Sequence, residues 1–298
     1  MNLDIGIAVI NKLTFLDRLI GNIIETAPTI KNIFVVDNGS IERVEETGFI
    51  KKHREKINII VIRNEKNVGL FHSYNQMAKL SNAEYFGFFH SDIMMFEKDW
   101  DKRIEKTIKE IEQSYYQKVG IVGFAGSRGA AANGARIGFM SNLIAYEGSH
   151  PAEIHGSRIT EYKPATFLDG SVLICNKNML NKSGGFDEGY KCHHIYDYDI
   201  SLTSLRTNYI NTVIGIKFMH RGGVTAISAA AYESYQDFLD NDADLQKYYQ
   251  EEIKKGNTTI THELTIQKYN MVRFAKKWAG FIPCFINENY HLIKGRYM

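Results

Sequence analysis

Three cysteines in 298 residues, four prolines and no surplus of either charge constrain this chain before any motif is read. Cys175, Cys192 and Cys284 are odd in number, far apart and never in a C-x-x-C pair. Neither a zinc knuckle nor a disulfide framework is available, and a reducing compartment, the cytoplasm, is expected. No apolar run approaches the roughly 18 residues of a membrane span, the longest candidate being residues 278–286. The N-terminal MNLDIGIAVINK carries Asp4 where an export signal needs a basic start, so no export is expected. Lys plus Arg number 36 against 34 Asp plus Glu, a net +2 that offers no field for nucleic acid. There is no G-x-G-x-x-G after the first apolar segment and no Walker lysine loop. Gly126-Ser-Arg-Gly lacks the G-x-S-x-G spacing of a nucleophile elbow. Dinucleotide oxidoreductases, P-loop ATPases and serine hydrolases are thereby disfavoured.

What is present is ample apolar material, 44% of residues, which excludes a disordered or low-complexity chain. Its first third alternates strand and helix. Ile5 to Ile10 predicts a strand, Phe15 to Ile24 a helix ending before Pro28, and Ile33 to Val36 a second strand. A charged helix over 42–56, a strand over 57–62, a helix from Leu70 to Leu80 and the aromatic strand Tyr85 to Phe89 follow. Short continuous apolar runs separated by helices predict an α/β fold around a mostly parallel sheet with both faces covered. Further on, the spacing predicts a helix over 98–113, strands over 119–125, 165–175 and 210–216, and a helix near 197–207. The Gly- and Ala-rich stretch 126–138 reads as a mobile substrate-side loop or an ordinary surface connection. From Ala229 onward the pattern is helical.

Ligands of open α/β sheets bind beyond the carboxyl ends of the strands. The residues expected there are Asn11, Asp37-Asn38-Gly39-Ser40, the run 63–67, and His90-Ser91-Asp92, a polar set suited to a nucleotide. Asp37 can accept hydrogen bonds from a base or ribose, although Asp-Asn-Gly-Ser is also a plain turn with a helix cap. Asn67 and Asn75, bracketing Gly69, join the nucleotide side, with capping of the next helix as the ordinary alternative for Asn67. Asp240, Asp242, Asp244 and Glu251 imitate a calcium loop, but Leu245 stands where glycine is needed.

Taken in order, these motifs resemble the inverting glycosyltransferases of family 2, whose fold is GT-A. The resemblance rests on Val35-Val36-Asp37-Asn38-Gly39-Ser40, Asn67-Val68-Gly69 with Asn75, His90-Ser91-Asp92, Phe96 to Trp100, Gly184-Gly185-Phe186-Asp187-Glu188, Tyr196-Asp197-Tyr198-Asp199 and His220-Arg221-Gly222-Gly223. It covers about residues 5–225. It implies a GT-A domain over 1–228, with 1–100 binding the nucleotide sugar and 101–228 the acceptor, followed by a C-terminal helical extension over 229–298.

By this resemblance Asp92 is the last acid of the metal-binding D-x-D motif, with His90 in place of the first, and His220 is a further metal ligand. Mn2+ is favoured over Mg2+ because an imidazole shifts the preference toward transition ions. Asp197 is implied as the general base, with Asp199 second; Tyr196 stands where Glu is common. Asn208 stands where a glycine usually ends the helix, an exchange that Asn tolerates through its access to left-handed backbone. Asp169, Gly170 and His194 are assigned to the acceptor side, His193 and His194 to acceptor or diphosphate. The implied reaction transfers a sugar from a nucleoside-diphosphate sugar, a UDP-sugar first, to a hydroxyl of a glycan, glycolipid or glycoprotein.

Two alternatives stand beside this reading. A non-catalytic sugar-nucleotide or glycan-binding module is suggested by the altered His90-Ser91-Asp92. A sugar-1-phosphate nucleotidyltransferase is disfavoured because Asn11-Lys12-Leu13-Thr14 replaces the expected Gly-rich, Arg-containing loop. Basic residues after Leu264, beside the apolar run 278–286, are read as a peripheral membrane or partner surface, against plain packing on the catalytic domain.

Overall fold

Strands buried on both faces need no polar alternation, and the continuous apolar runs become the interior of one sheet. The computed structural model describes residues 1–145, 156–221, 236, 239–257 and 262–295. β1 (Leu3–Val9), β2 (Asn32–Asn38), β3 (Asn58–Asn64) and β4 (Tyr85–Phe89) lie parallel. They are joined through α1 (Leu13–Thr26), α2 (Gly48–Arg54) and α3 (Leu70–Leu80). α1 turns Leu16, Leu19, Ile20 and Ile23 inward, the i, i+3, i+4, i+7 stripe read from the sequence.

The helix expected over 42–56 is shorter. Asp37 accepts the Val44 N–H, Val44–Glu46 form a single 3-10 turn, and extended Thr47 delays α2 to Gly48.

β5 (Ile93–Met95), α4 (Trp100–Tyr115) and β6 (Val119–Gly123) come next. Then follow β7 (Ala125–Ala130), β8 (Arg136–Ser141), β9 (Leu143–Ala145), β10 (Ser157–Arg158), β11 (Tyr162–Pro164), β12 (Phe167–Leu168) and β13 (Val172–Asn176). α5 (Lys177–Ser183), α6 (Tyr196–Arg206), β14 (Ile210–Ile214) and β15 (Phe218–His220) complete the region of the motifs. The main sheet has eight strands in the order β11-β14-β6-β13-β4-β1-β2-β3. β13 is inserted antiparallel between β4 and β6, which brings the second half of the chain against the ends of the first. The strand expected over 165–175 is two strands, broken at Asp169-Gly170-Ser171.

The Gly- and Ala-rich stretch is largely strand, and its turn at 131–135, which brings Asn133, Gly134 and Ala135 to the cleft, keeps the expected substrate-side loop character. It forms the hairpin β7–β8, which β12 and β16 extend on the other edge of β7. The small residues serve close packing: a Cβ on Gly126 would sit 2.4 Å from the Phe167 carbonyl oxygen.

Toward the C-terminus come α7 (Ala243–Lys254) and α8 (His262–Lys277). A hairpin not announced by the pattern, β16 (Cys284–Ile286) with β17 (Leu292–Lys294), follows them. Trp278, Ile282, Cys284 and Ile286 are buried in the domain, and Arg273 and Lys277 pair with Asp187. The buried part of the apolar run 278–286 therefore packs against the domain and offers no side chain to a membrane. Among the described residues no helix is long and apolar enough to cross one. Asp242 caps α7 by accepting the Asp244 and Leu245 N–H groups, so the calcium-like spacing marks a helix start.

Candidate active site

A cleft of about 750 Å3 opens beyond the carboxyl ends of β1, β2 and β4, and it gathers residues from well-separated parts of the chain. Asn38, Asn67, His90, Ser91, Asp92, Asp169, Gly170, His194, Asp197 and His220 all line it. Of the sequence-derived candidates, Asn11, Asp37, Gly69, Asn75 and Asp199 do not.

His90, Asp92 and His220 form one cluster. The end of β4 supplies His90, whose N–H is fixed by the Ser171 carbonyl, and the short β5–β15 pair, with His220 opposite Ile93, sets His220 beside Asp92. His220 Nε2 lies 3.4 Å from Asp92 Oδ1, and the ligand atoms of all three residues are within 4.8 Å of one another. Burial pushes Asp92 up, but the His220 contact outweighs it and keeps the carboxylate below its ordinary range. Burial, then His220, lowers His90. The Tyr196 hydroxyl lies 3.0 Å from the Gly170 carbonyl and 2.5 Å from His90 Nε2; in the tautomer where its proton goes to the carbonyl, His90 Nε2–H donates to the phenol oxygen. The Nδ1 lone pair of His90 is then the one left for a cation. His90 and Tyr196, the two residues that depart from the family pattern, thus hold each other. Two imidazoles and a carboxylate at this spacing fit a divalent transition ion. Arg221 stacks over Phe15 at 4.9 Å; Gly222 and Gly223 lie outside the described residues.

Asp197, at the start of α6, faces Asp169 across a guanidinium that the motifs did not point to. Arg136, at the foot of β8, donates from one terminal nitrogen to Asp169 Oδ2 at 2.8 Å and from the other to Asp197 Oδ2 at 2.6 Å, and it stacks over Tyr198. Asp197 Oδ2 also accepts the Gly170 N–H, while Oδ1 accepts only the Tyr198 N–H and keeps a lone pair. Burial pushes Asp197 up to about 6, with Arg136 opposing and Asp169 reinforcing the shift. Burial opposes ionisation at Asp169 too, yet Arg136 and His220 hold that carboxyl well below its usual range. The two acids are thus driven apart: one is a fixed anion, the other titrates near neutrality. Gly170 is required here, because a Cβ would sit 2.1 Å from the Tyr196 hydroxyl.

Asp199 belongs to the framework rather than to the cleft. Its Oδ1 accepts from Trp278 Nε1 and Tyr190, both at 2.8 Å, and its Oδ2 from Lys277 at 2.9 Å, which fastens α6 to α8. Trp278→Phe is expected to cost about 1–3 kcal/mol in urea unfolding, because a buried carboxylate loses one of its donors. Asn75 is likewise a staple. It takes the Phe186 N–H and donates to the Phe186 carbonyl and Glu188, so it ties α3 to the 184–188 turn. Asp37 is spent on the Ser40 and Val44 amides and on Arg63, the turn-and-cap alternative. Asn11 braces the same turn through the Ile41 N–H and Ser40, and Gly69, at φ 86, begins α3. Asn38 and Asn67 are bonded to each other at 2.8 Å and remain on the cleft wall. Asn208 is left-handed at φ 68, as its exchange for glycine requires.

The sequence model of "Glycosyl transferase family 2" matches residues 4–150, which contain the Asp37 turn, His90-Ser91-Asp92 and Arg136. Over this stretch, just under half of its length, the chain is similar to glycosyl transferase family 2. The chain has the GT-A fold, with the mixed sheet and its cleft at the strand ends, and solved structures agree. S. aureus TarS 1-349 superposes with a TM-score of 0.54 at 15% identity, over 80% of this chain and 64% of that one. The same protein in complex with UDP-GlcNAc gives 0.55 at 15% identity, over 94% and 75%. GalNAc-T7 with UDP, GalNAc and Mn2+ gives 0.56 at 13% identity, over 94% and 57%. The chain spans less than two thirds of the first of these structures' own length. No curated protein matches it.

Proposed function

We propose that the chain transfers a sugar from a nucleoside-diphosphate sugar, a UDP-sugar first, to a hydroxyl of a glycan, glycolipid or glycoprotein, with inversion at the anomeric carbon. The observation that carries this reading is that the His90–Asp92–His220 cluster and the Asp197 carboxylate open into one cleft. The fold relatives solved with UDP-GlcNAc, and with UDP and Mn2+, support the donor class.

His90, Asp92 and His220 would hold Mn2+ in preference to Mg2+, and when bound the cation would supply Lewis-acid stabilisation of the leaving diphosphate. Asn38 and Asn67 offer amide groups to the nucleotide. Asp169 and Gly170 form the acceptor wall, with His194 beyond them. The free lone pair of Asp197 Oδ1 takes the proton from the acceptor hydroxyl as that oxygen attacks the anomeric carbon. Arg136 keeps the carboxylate oriented, and the cleft aligns the two reactants.

The test is release of nucleoside diphosphate from a panel of UDP- and GDP-sugars with Mn2+. One UDP-sugar is expected to be cleaved, with a rate that rises with pH through about 6 as Asp197 loses its proton and then levels. Glycan or nucleotide binding without release from any donor would transfer the case to a binding module.

A further inference from the structure

We infer that His193, His194 and Glu263 form a second metal site, distinct from His90, Asp92 and His220, that takes a zinc-type divalent cation. The ligand atoms of the three residues lie within 4.8 Å of one another, and all three residues line the cleft. The imidazoles of His193 and His194 are 3.9 Å apart, centroid to centroid. His194 Nε2 is 3.5 Å from Glu263 Oε1, yet it is a buried nitrogen without a hydrogen-bond partner. Buried His194 Nε2, unpaired beside the Glu263 carboxylate, with the His193 imidazole stacked on its ring and His193 Nδ1 3.2 Å from Cys192 Sγ, forms a set that a divalent cation completes by accepting a ring lone pair and neutralising the acid.

The backbone that carries the pair is left-handed at three residues and clamped by one side chain. Cys192, His194 and Ile195 have φ of 57, 72 and 70°, left-handed values that side chains other than glycine seldom adopt. Fully buried Asn270 fixes them. Its Oδ1 accepts the Lys191 N–H, and its Nδ2 donates to the Lys191 and His193 carbonyls at 2.9 Å. Asn270 and Glu263 are seven residues apart on α8, two turns on one face, so a single helix carries both the third ligand and the clamp. Nitrogen ligands with one carboxylate select Zn2+ over Mg2+ or Ca2+, and three protein ligands leave one position to water or to an oxygen of whatever fills the cleft.

The experiment is equilibrium dialysis of the full chain against Zn2+ in an Asp92→Ala, His220→Ala background, where the first cluster keeps one ligand. About one equivalent of Zn2+ is expected to remain bound. Co2+ in its place is expected to give the visible absorption of a tetrahedral site. Adding His194→Ala and Glu263→Gln is expected to weaken binding on the order of 100-fold or more, with circular dichroism unchanged. Should the combined variant fail to fold, Glu263→Gln alone, at a partly exposed position, is expected to weaken binding measurably. No zinc retained in the first background, or zinc held equally well without Glu263, would overturn the site.

Discussion

Replacing Asp197 by asparagine is expected to lower kcat by on the order of 10²- to 10⁴-fold while donor binding stays intact, the range that one positioned general base contributes. Asparagine keeps the shape, but its single oxygen can accept only one of the Tyr198 and Gly170 N–H groups that the two carboxylate oxygens share out, and its amide cannot take the acceptor's proton. The residues proposed to hold the donor, His90, Asp92, Asn38 and Asn67, line the cleft from other elements and remain in place. The effect should therefore fall on kcat and leave the Kd for nucleoside diphosphate unchanged, and the rise of the wild-type profile through about pH 6 should vanish with the carboxyl that causes it. Paired measurements of steady-state rate and nucleotide Kd check this. A loss of nucleotide affinity equal to the loss of rate would place Asp197 in the donor site instead.

Arg136→Met is the second large effect. The guanidinium is the shared partner of Asp169 and Asp197, and its removal leaves two carboxylates in the cleft wall without a counter-charge. Breaking such a pair from one side typically costs about 3–5 kcal/mol, and at 20% exposure of the arginine side chain the lower end is expected, read by chemical denaturation. A second consequence separates this from simple loss of packing. Arg136 lowers the Asp197 pKa against the pull of burial and Asp169, so without it the carboxyl holds its proton to higher pH. The rising limb of the pH–rate profile is therefore expected to shift upward from about 6. A destabilised variant with an unmoved profile would mean that Arg136 only supports the fold.

The parallel strands were legible because strands buried on both faces are written as short apolar runs, and the strand-end rule then placed Asn38, His90 and Asp92 without further information. Asp197 and His220 needed the ordered motifs of the resemblance, since nothing in their local spacing brings them to the same cleft. Arg136 was hidden because the hairpin that carries it is built of Gly and Ala. Those residues have little strand preference, and they are there so that β12 can approach within contact of Gly126. Asp199 and Asp197 look alike two positions apart, and only the distant Trp278 and Lys277 settle which one faces the framework. The same holds for Asn75, whose partners lie more than a hundred residues on. Long-range hydrogen bonds of this kind leave no periodic trace in the chain.

Calorimetric titration with UDP and then GDP, each with and without Mn2+, on the wild type and on Asp92→Ala, tests the central claim most directly. The expected result is Mn2+-dependent binding of UDP that is lost in Asp92→Ala, because a cation held by His90, Asp92 and His220 would lose its carboxylate ligand. Absence of binding by either nucleotide under every condition, or UDP binding indifferent to both Mn2+ and Asp92, would contradict it.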